Sequence, residues 1–239
     1  MKTQNFKKRS AFLFALLTSL MLTGTLTSCI ATQPDEDAFV KQVESVPASD
    51  RINYADFDTL HDFIETTKAN LIIRCVIKSR GESAVTDPSG KYSERDLKSG
   101  DNGTAQAARS LIATPYEIEI SEVYLGDINK AGNTINYTAP YGIVNDYGNR
   151  KNHAPVLRVG DEYILFLRAD IINGLLSYDL ASPPFSVLKL NTEDNTFALY
   201  DETRGALYSK YEKSTDKLLD DLKELIENNG YPTGVEYIG

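Results

Sequence analysis

The run Glu162-Tyr163-Ile164-Leu165-Phe166-Leu167 constrains the fold more than any other segment. A strand sends successive side chains to opposite faces, so a run apolar at both parities must be covered on both sides. It is therefore predicted to be a central strand, fed by the turn around Val159-Gly160-Asp161. Leu71-Ile72-Ile73-Arg74-Cys75-Val76-Ile77 is a second β-rich run whose odd members, Cys75 among them, face the core. Tyr116 to Ile120 alternates strictly, while Val123 and Leu125 fall on the opposite parity. The slip at Ser121 and Glu122 predicts a bulge that bends this strand. Thr134 to Thr138 is its expected partner, and further strands are expected over Leu175 to Leu180, Phe185 to Leu190 and Thr196 to Tyr200. The last two are joined by the hairpin-like Thr192-Glu193-Asp194-Asn195.

Two helices frame these strands. Phe57, Leu60, Phe63 and Ile64 recur at helical spacing, with Thr59 and Asp62 as a cap signal, predicting a helix over 56–68. Ser214 starts a second helix over 214–228, with Leu218, Leu219, Leu222, Leu225 and Ile226 on one stripe and Asn229-Gly230 and Pro232 as its stop. Its outer face carries Asp220, Asp221, Glu224 and Glu227, so the stripe is expected to pack on the sheet and not on a membrane. The expected class is mainly β (α+β): a small bent antiparallel sheet or OB-like barrel, with a preceding short helix and a C-terminal amphipathic helix.

Two long polar segments interrupt the strands. Residues 79–114 hold the turn signals Asp87-Pro88-Ser89-Gly90 and Asp101-Asn102-Gly103, with room for a helical turn or two between Thr104 and Ile112. Residues 140–155 hold Tyr141, Asn145, Asp146, Tyr147, Asn149, Arg150, Asn152 and His153. Loops of this length are either functional or disordered, and the two together are the expected recognition surface.

The chain begins with Lys2, Lys7, Lys8 and Arg9, then an apolar run from Ala11 to Leu22, then Leu26-Thr27-Ser28-Cys29. This order resembles the signal segment and lipobox of bacterial lipoproteins. The resemblance implies cleavage after Ser28, with Leu26, Thr27 and Ser28 as the peptidase recognition residues. It also implies a diacylglyceryl thioether and further acyl groups on Cys29, the only cofactor-like groups expected. Two or more acyl chains give stable anchoring, at about 0.8 kcal/mol per buried methylene. The implied location is the outer face of the bacterial cell membrane, or the outer membrane of a diderm cell, because Ile30 stands where an Asp favours inner-membrane retention. The expected organisation is a signal peptide over 1–28, an acidic flexible tether over 29–53 with Pro34 and Pro47, and one β-rich domain over 54–239.

The formal charge of -9 becomes -13 once residues 1–28 are removed, because they carry four cations and no anion. A surface this acidic repels phosphate backbones, which argues against nucleic-acid partners and leaves the lipid as the membrane contact. Only two cysteines are present. With Cys29 acylated, Cys75 has no disulfide partner, and a buried thiol in apolar surroundings is inert.

Ala69 to Arg74, Glu122 to Asp127 and Val159 to Leu167, in that order, are similar to the corresponding stretches of exported OB-type barrels of the netrin and tissue-inhibitor-of-metalloproteinase class. The resemblance spans about residues 69–200 and implies a barrel. It does not carry over the inhibitory mechanism, which needs a free N-terminal Cys amine and disulfides.

No His-Glu-x-x-His, Gly-x-Ser-x-Gly, P-loop or paired-Cys motif occurs. His61 lies on the first predicted helix and is read as a solvated helix residue. His153, with Tyr141, Asp146, Tyr147 and Arg150, is the one set suited to general acid-base work or to a polar ligand. The acidic pairs Asp35 with Asp37 and Asp220 with Asp221 are what an acidic chain supplies by chance, and the Asn191 to Asn195 turn lacks the ligand spacing of an EF-type calcium loop. Catalytic residues and bound metal are therefore not expected. The leading expectation is a non-catalytic envelope binding module for a protein, peptide or glycan. A hydrolase or transferase acting near His153, or a structural subunit of an envelope assembly, are the alternatives.

Overall fold

The computed structural model describes residues 35–48, 56–151, 154–172, 175–200 and 206–231. Along them the order is α1 (Glu36–Ser45), α2 (Leu60–Thr67), β1 (Leu71–Arg80), β2 (Ala84–Val85), α3 (Asn102–Arg109), β3 (Ile112–Leu125), β4 (Thr134–Ala139), β5 (Tyr141–Val144) and β6 (Tyr147–Arg150). Then follow β7 (Glu162–Ile172), β8 (Leu175–Leu180), β9 (Val187–Asn191), β10 (Thr196–Leu199), α4 (Ala206–Ser209) and α5 (Thr215–Asn229).

β1 sits mid-sheet between β3 and β7, and every pairing is antiparallel. Beyond β3 lie β4 and the short β2; beyond β7 lie β8 and β9, and β10 closes the far edge. The sheet curls strongly into a half-barrel, the mainly-β, OB-like architecture expected from the strand pattern. The bend has the predicted cause: Ile120 pairs with Cys75 but Glu122 with Arg74, so Ser121 is the extra residue of a bulge, and its hydroxyl donates to the Arg74 carbonyl at 3.0 Å.

Parity divides the core in two. Leu71, Ile73, Cys75 and Ile77 of β1 meet Tyr163, Leu165 and Leu167 of β7 and Ile118, Ile120, Tyr137 and Tyr178 inside the curl. On the outer face, Ile72, Ile164 and Phe166 meet Leu60, Phe63 and Ile64 of α2 and Leu218, Leu222 and Ile226 of α5. β7 is therefore covered on both sides. Thr59 caps α2 by accepting from the Asp62 N–H at 3.1 Å, and Ser214 does the same for α5 toward Lys217.

The acidic N-terminal stretch is not tether throughout. Residues 36–45, expected to be flexible, form α1, whose Val40 and Val43 are buried in the inner core. Arginines from distant elements hold its acidic side: Arg80 Nε pairs with Glu36 at 3.0 Å, and Arg158 with Asp37 at 2.5 Å. Composition alone misses these partners.

The 79–114 segment is also more ordered than a loop. It holds β2, a 3-10 turn over Glu94–Lys98, α3 and the start of β3. Leu97, Ala108 and Ile112 form a third small core with Val144 of β5. The 140–155 segment contains the hairpin β5–β6, turned by Asn145 and Asp146, both at positive φ. The two expected loops thus pack on each other.

Candidate ligand-binding cleft

The half-barrel leaves a seam. Four antiparallel pairings connect β4 to β8 through β3, β1 and β7, so β4 and β8 run in the same direction where they approach each other. No ladder joins them among the described residues.

The hydrogen bonds around the seam decide which main-chain groups face it. Asn70, just ahead of β1, uses its side chain as a strand extension: it accepts from the Ala169 N–H at 2.7 Å and donates to the Ala169 carbonyl at 2.9 Å, while its own N–H donates to the Leu167 carbonyl at 3.0 Å. Residues Leu167 and Ala169 of β7 therefore face the β1 side, and Arg168 and Asp170 face β8. Through the register Arg168 with Asp179 and Asp170 with Ser177, the groups of Asp179 and Ser177 point back at β7. Those of Leu176 and Tyr178 point into the seam. On β4, the Ile120 N–H donates to the Asn133 carbonyl at 2.9 Å, which sets the parity so that Ile135, Tyr137 and Ala139 face β3. Asn136 and Thr138 are left facing the seam.

All four of these residues line a cleft of about 450 Å³. Thr86, Leu111 and Ile112 of the first insertion and Pro140, Asn149 and Lys151 of the second complete its walls. Asn149 is buried and fixes the junction, donating to the carbonyls of Ile112 at 3.0 Å and Ser110 at 3.3 Å. Thr114 adds a second lock, donating to the Tyr141 carbonyl at 2.6 Å and meeting Ser83 Oγ at 2.8 Å. A side chain at Gly142 would run into both hydroxyls, so glycine is what lets β5 approach here. Asp179 lies 4.0 Å from Arg168, whereas Lys151, half-buried, forms no ion pair among the described residues. At the lip, Ile171 and Leu176 face each other across the β7–β8 ladder, 49% and 40% exposed. They are the exposed large hydrophobic side chains of the described residues.

Of the residues singled out from the sequence, Tyr141, Asp146, Tyr147 and Arg150 are described and share the β5–β6 hairpin, where Tyr141 pairs with Arg150, but their side chains have separate partners. Tyr141 is fully buried; its hydroxyl donates to Tyr116 at 3.2 Å and accepts from the Leu157 N–H at 2.9 Å, and burial pushes its pKa far up. It is a core residue. Asp146 is at the exposed hairpin tip, Tyr147 lies under the Arg109 guanidinium at 4.3 Å, and Arg150 reaches the Glu44 carbonyl and Tyr200. His153 and Asn152 lie outside the described residues, as do Leu26, Thr27, Ser28 and Cys29. His61 is not simply solvated: its Nδ1 lies 3.0 Å from the Tyr231 hydroxyl, which donates to Glu65 at 2.8 Å. Burial pushes the Cys75 thiol pKa well up, and the Glu162 carboxylate adds to the shift. In the Asn191 to Asn195 turn, Asn191 and Asp194 accept from the N–H groups of Glu193 and Thr196, so their oxygens are engaged locally.

Among the described residues no three His, Cys, Asp or Glu side chains are placed to hold a metal ion, and no helix is long and apolar enough to cross a membrane. The sequence reading found the two insertions and the β8 strand, but not the free edges between them. Edge exposure depends on which strands pair, and no local residue pattern encodes that. Comparison with protein-family models, with curated proteins and with solved structures found no match to this chain.

Proposed function

We propose that the chain is a lipid-anchored protein of the bacterial cell envelope that acts as a non-catalytic binding module, with the β4–β8 cleft as its ligand site. The observation that carries the binding reading is the cleft itself: the unladdered edges of β4 and β8, both long insertions and the exposed Leu176 meet in one place. Buried polar anchors such as Asn149 and Thr114 hold its walls, as a preformed site requires.

The anchoring reading is supported by the cationic start, the apolar run and Leu26-Thr27-Ser28-Cys29. Since α1 begins at Glu36, only six residues lie between it and Cys29, at most about 25 Å of extended chain. Such a module works close to the lipid surface. Its acidic character keeps anionic headgroups and nucleic acids away from the cleft.

Two measurements test the reading. Replacing Cys29 by Ser should block maturation and release the protein from the membrane fraction; normal processing with unchanged retention would contradict the anchor. A photocrosslinking residue at Thr138 in living cells should give discrete envelope adducts that Asn149→Leu suppresses. Adducts indifferent to that change would contradict the cleft.

A further inference from the structure

Resting on the binding-module reading, we propose that the ligand of the cleft is a short saccharide without net charge. Its hydroxyls bond to Asn136 and Thr138 of β4 and to Ser177 and Asp179 of β8, and its C–H face lies on Leu176.

Parity puts these four side chains together. Ile135, Tyr137 and Ala139 of β4 and Tyr178 and Leu180 of β8 are buried in the inner core, so the residues that alternate with them point outward. The floor beneath is closed: β4 and β8 lie against each other, and Lys130 Nζ donates to the Tyr178 hydroxyl at 3.2 Å. The polar side chains of the cleft then fall into two sets. Those of the walls are satisfied within the protein: Thr86 donates to the Leu111 carbonyl at 3.0 Å, Ser110 to the Ala107 carbonyl at 2.7 Å and Asn149 to the Ile112 carbonyl. Those over the floor are not. Asn136, Thr138 and Ser177 make no side-chain hydrogen bond among the described residues, and the Asp179 carboxylate has Arg168 at 4.0 Å, beyond hydrogen-bond reach.

The chemistry of the second set narrows the ligand. Two hydroxyls, one amide and one carboxylate offer donors and acceptors side by side on two adjacent strands. A sugar presents the matching edge, a row of hydroxyls that each donate and accept, and the carboxylate makes the bonds it accepts the stronger ones. Leu176, Leu111 and Pro140 supply apolar contact for the C–H face of a ring. Charge excludes other classes: the charged side chains lining the cleft, Asp179 and Lys151, cancel, so a phosphate-rich ligand lacks a cation cluster and a polycation an acidic one. At about 450 Å³ the cleft lies within the range of small-molecule sites, about 300–1,000 Å³.

The probe is a printed array of uncharged di- to tetrasaccharides, neutral and N-acetylated, beside sulfated and phosphorylated counterparts, read with the purified full-length protein. Saturable binding confined to the uncharged members is expected. Asp179→Ala should weaken it about tenfold, and Asn136→Ala about threefold, because bonds to the carboxylate are charge-assisted. Thr134→Ala, on the same face of β4 but outside the cleft, should leave it unchanged. All three positions are exposed, so the circular dichroism spectra should match that of the parent. No binding to any uncharged saccharide, or a preference for the sulfated and phosphorylated members, would overturn the proposal, and this arm needs no altered protein. Equal effects of Thr134→Ala and Asp179→Ala would overturn it as well. If the array fails while Asn149→Leu still suppresses the Thr138 crosslinks in cells, the cleft binds a ligand of another class. If the crosslinks are also indifferent, the binding-module reading falls with it.

Discussion

Asn70 completes the ladder that β1 leaves unfinished, holding both main-chain groups of Ala169 with its side-chain amide at 2.7 and 2.9 Å. This pair fixes the orientation of β7 beyond the end of β1, and so determines which face of β8 is left open. Asn70→Ala removes two hydrogen bonds at a partly exposed position and should cost about 1–2 kcal/mol in urea unfolding. A loss below about 0.3 kcal/mol would mean that β7 holds its orientation without Asn70.

The pairing of Glu36 with Arg80 joins α1 to the end of β1. The Arg80 side chain is only 3% exposed and its guanidinium lies 3.6 Å from the Phe39 ring centre. Removing one partner leaves a buried charge uncompensated, so Glu36→Ala should cost about 3 kcal/mol. Lys41→Ala, on the exposed face of the same helix, should change stability by less than about 0.5 kcal/mol. Equal, small effects would mean that residues 36–45 behave as the tether that their composition suggests.

Cys75 is fully buried between β3 and β7, and desolvation raises its thiol pKa. In a Cys29→Ser chain it is the one thiol present. It should resist iodoacetamide at pH 8.5 and become reactive at the rate of global unfolding. Rapid labelling of the folded protein would show that the inner core opens locally.

Asp87 organises the turn next to the cleft. Its carboxylate is held below the ordinary 3.8 by the Ser89 hydroxyl, with the N–H groups of Tyr92 and Ser89 adding to the effect. A depressed carboxylate stabilises the folded form above its unfolded value, and that contribution is lost as pH falls through the folded one. A carbon-detected NMR titration should place the Asp87 midpoint below 3.8, and Ser89→Ala should move it upward. A midpoint unchanged by Ser89→Ala would contradict this arrangement.

The sequence was most informative where a residue's partners are close in the chain. Ser214 and Gly230, the latter at φ +61°, bound α5 within a residue of the expected helix. The Ser121 bulge and the two-faced burial of β7 follow from parity alone. What was not legible depends on distant partners. α1 packs three apolar side chains on the core, Phe39, Val40 and Val43, and is held by arginines 44 and 121 residues away. The β5–β6 hairpin did carry a local signal, since Asn145-Asp146 suits a two-residue turn with both φ positive. Reading 140–155 as one polar loop grouped Tyr141 with exposed residues, although the alternation that follows from the hairpin sends it inward. The cleft emerges only once β4 and β8 are seen to end the curl without joining.

Hydrogen exchange along β8 tests this account most directly. In the free protein the N–H groups of Leu176 and Tyr178 should exchange much faster than those of Ser177 and Asp179. Uniform protection of all four amides in the free protein would mean that the seam is closed, and would contradict the proposed cleft.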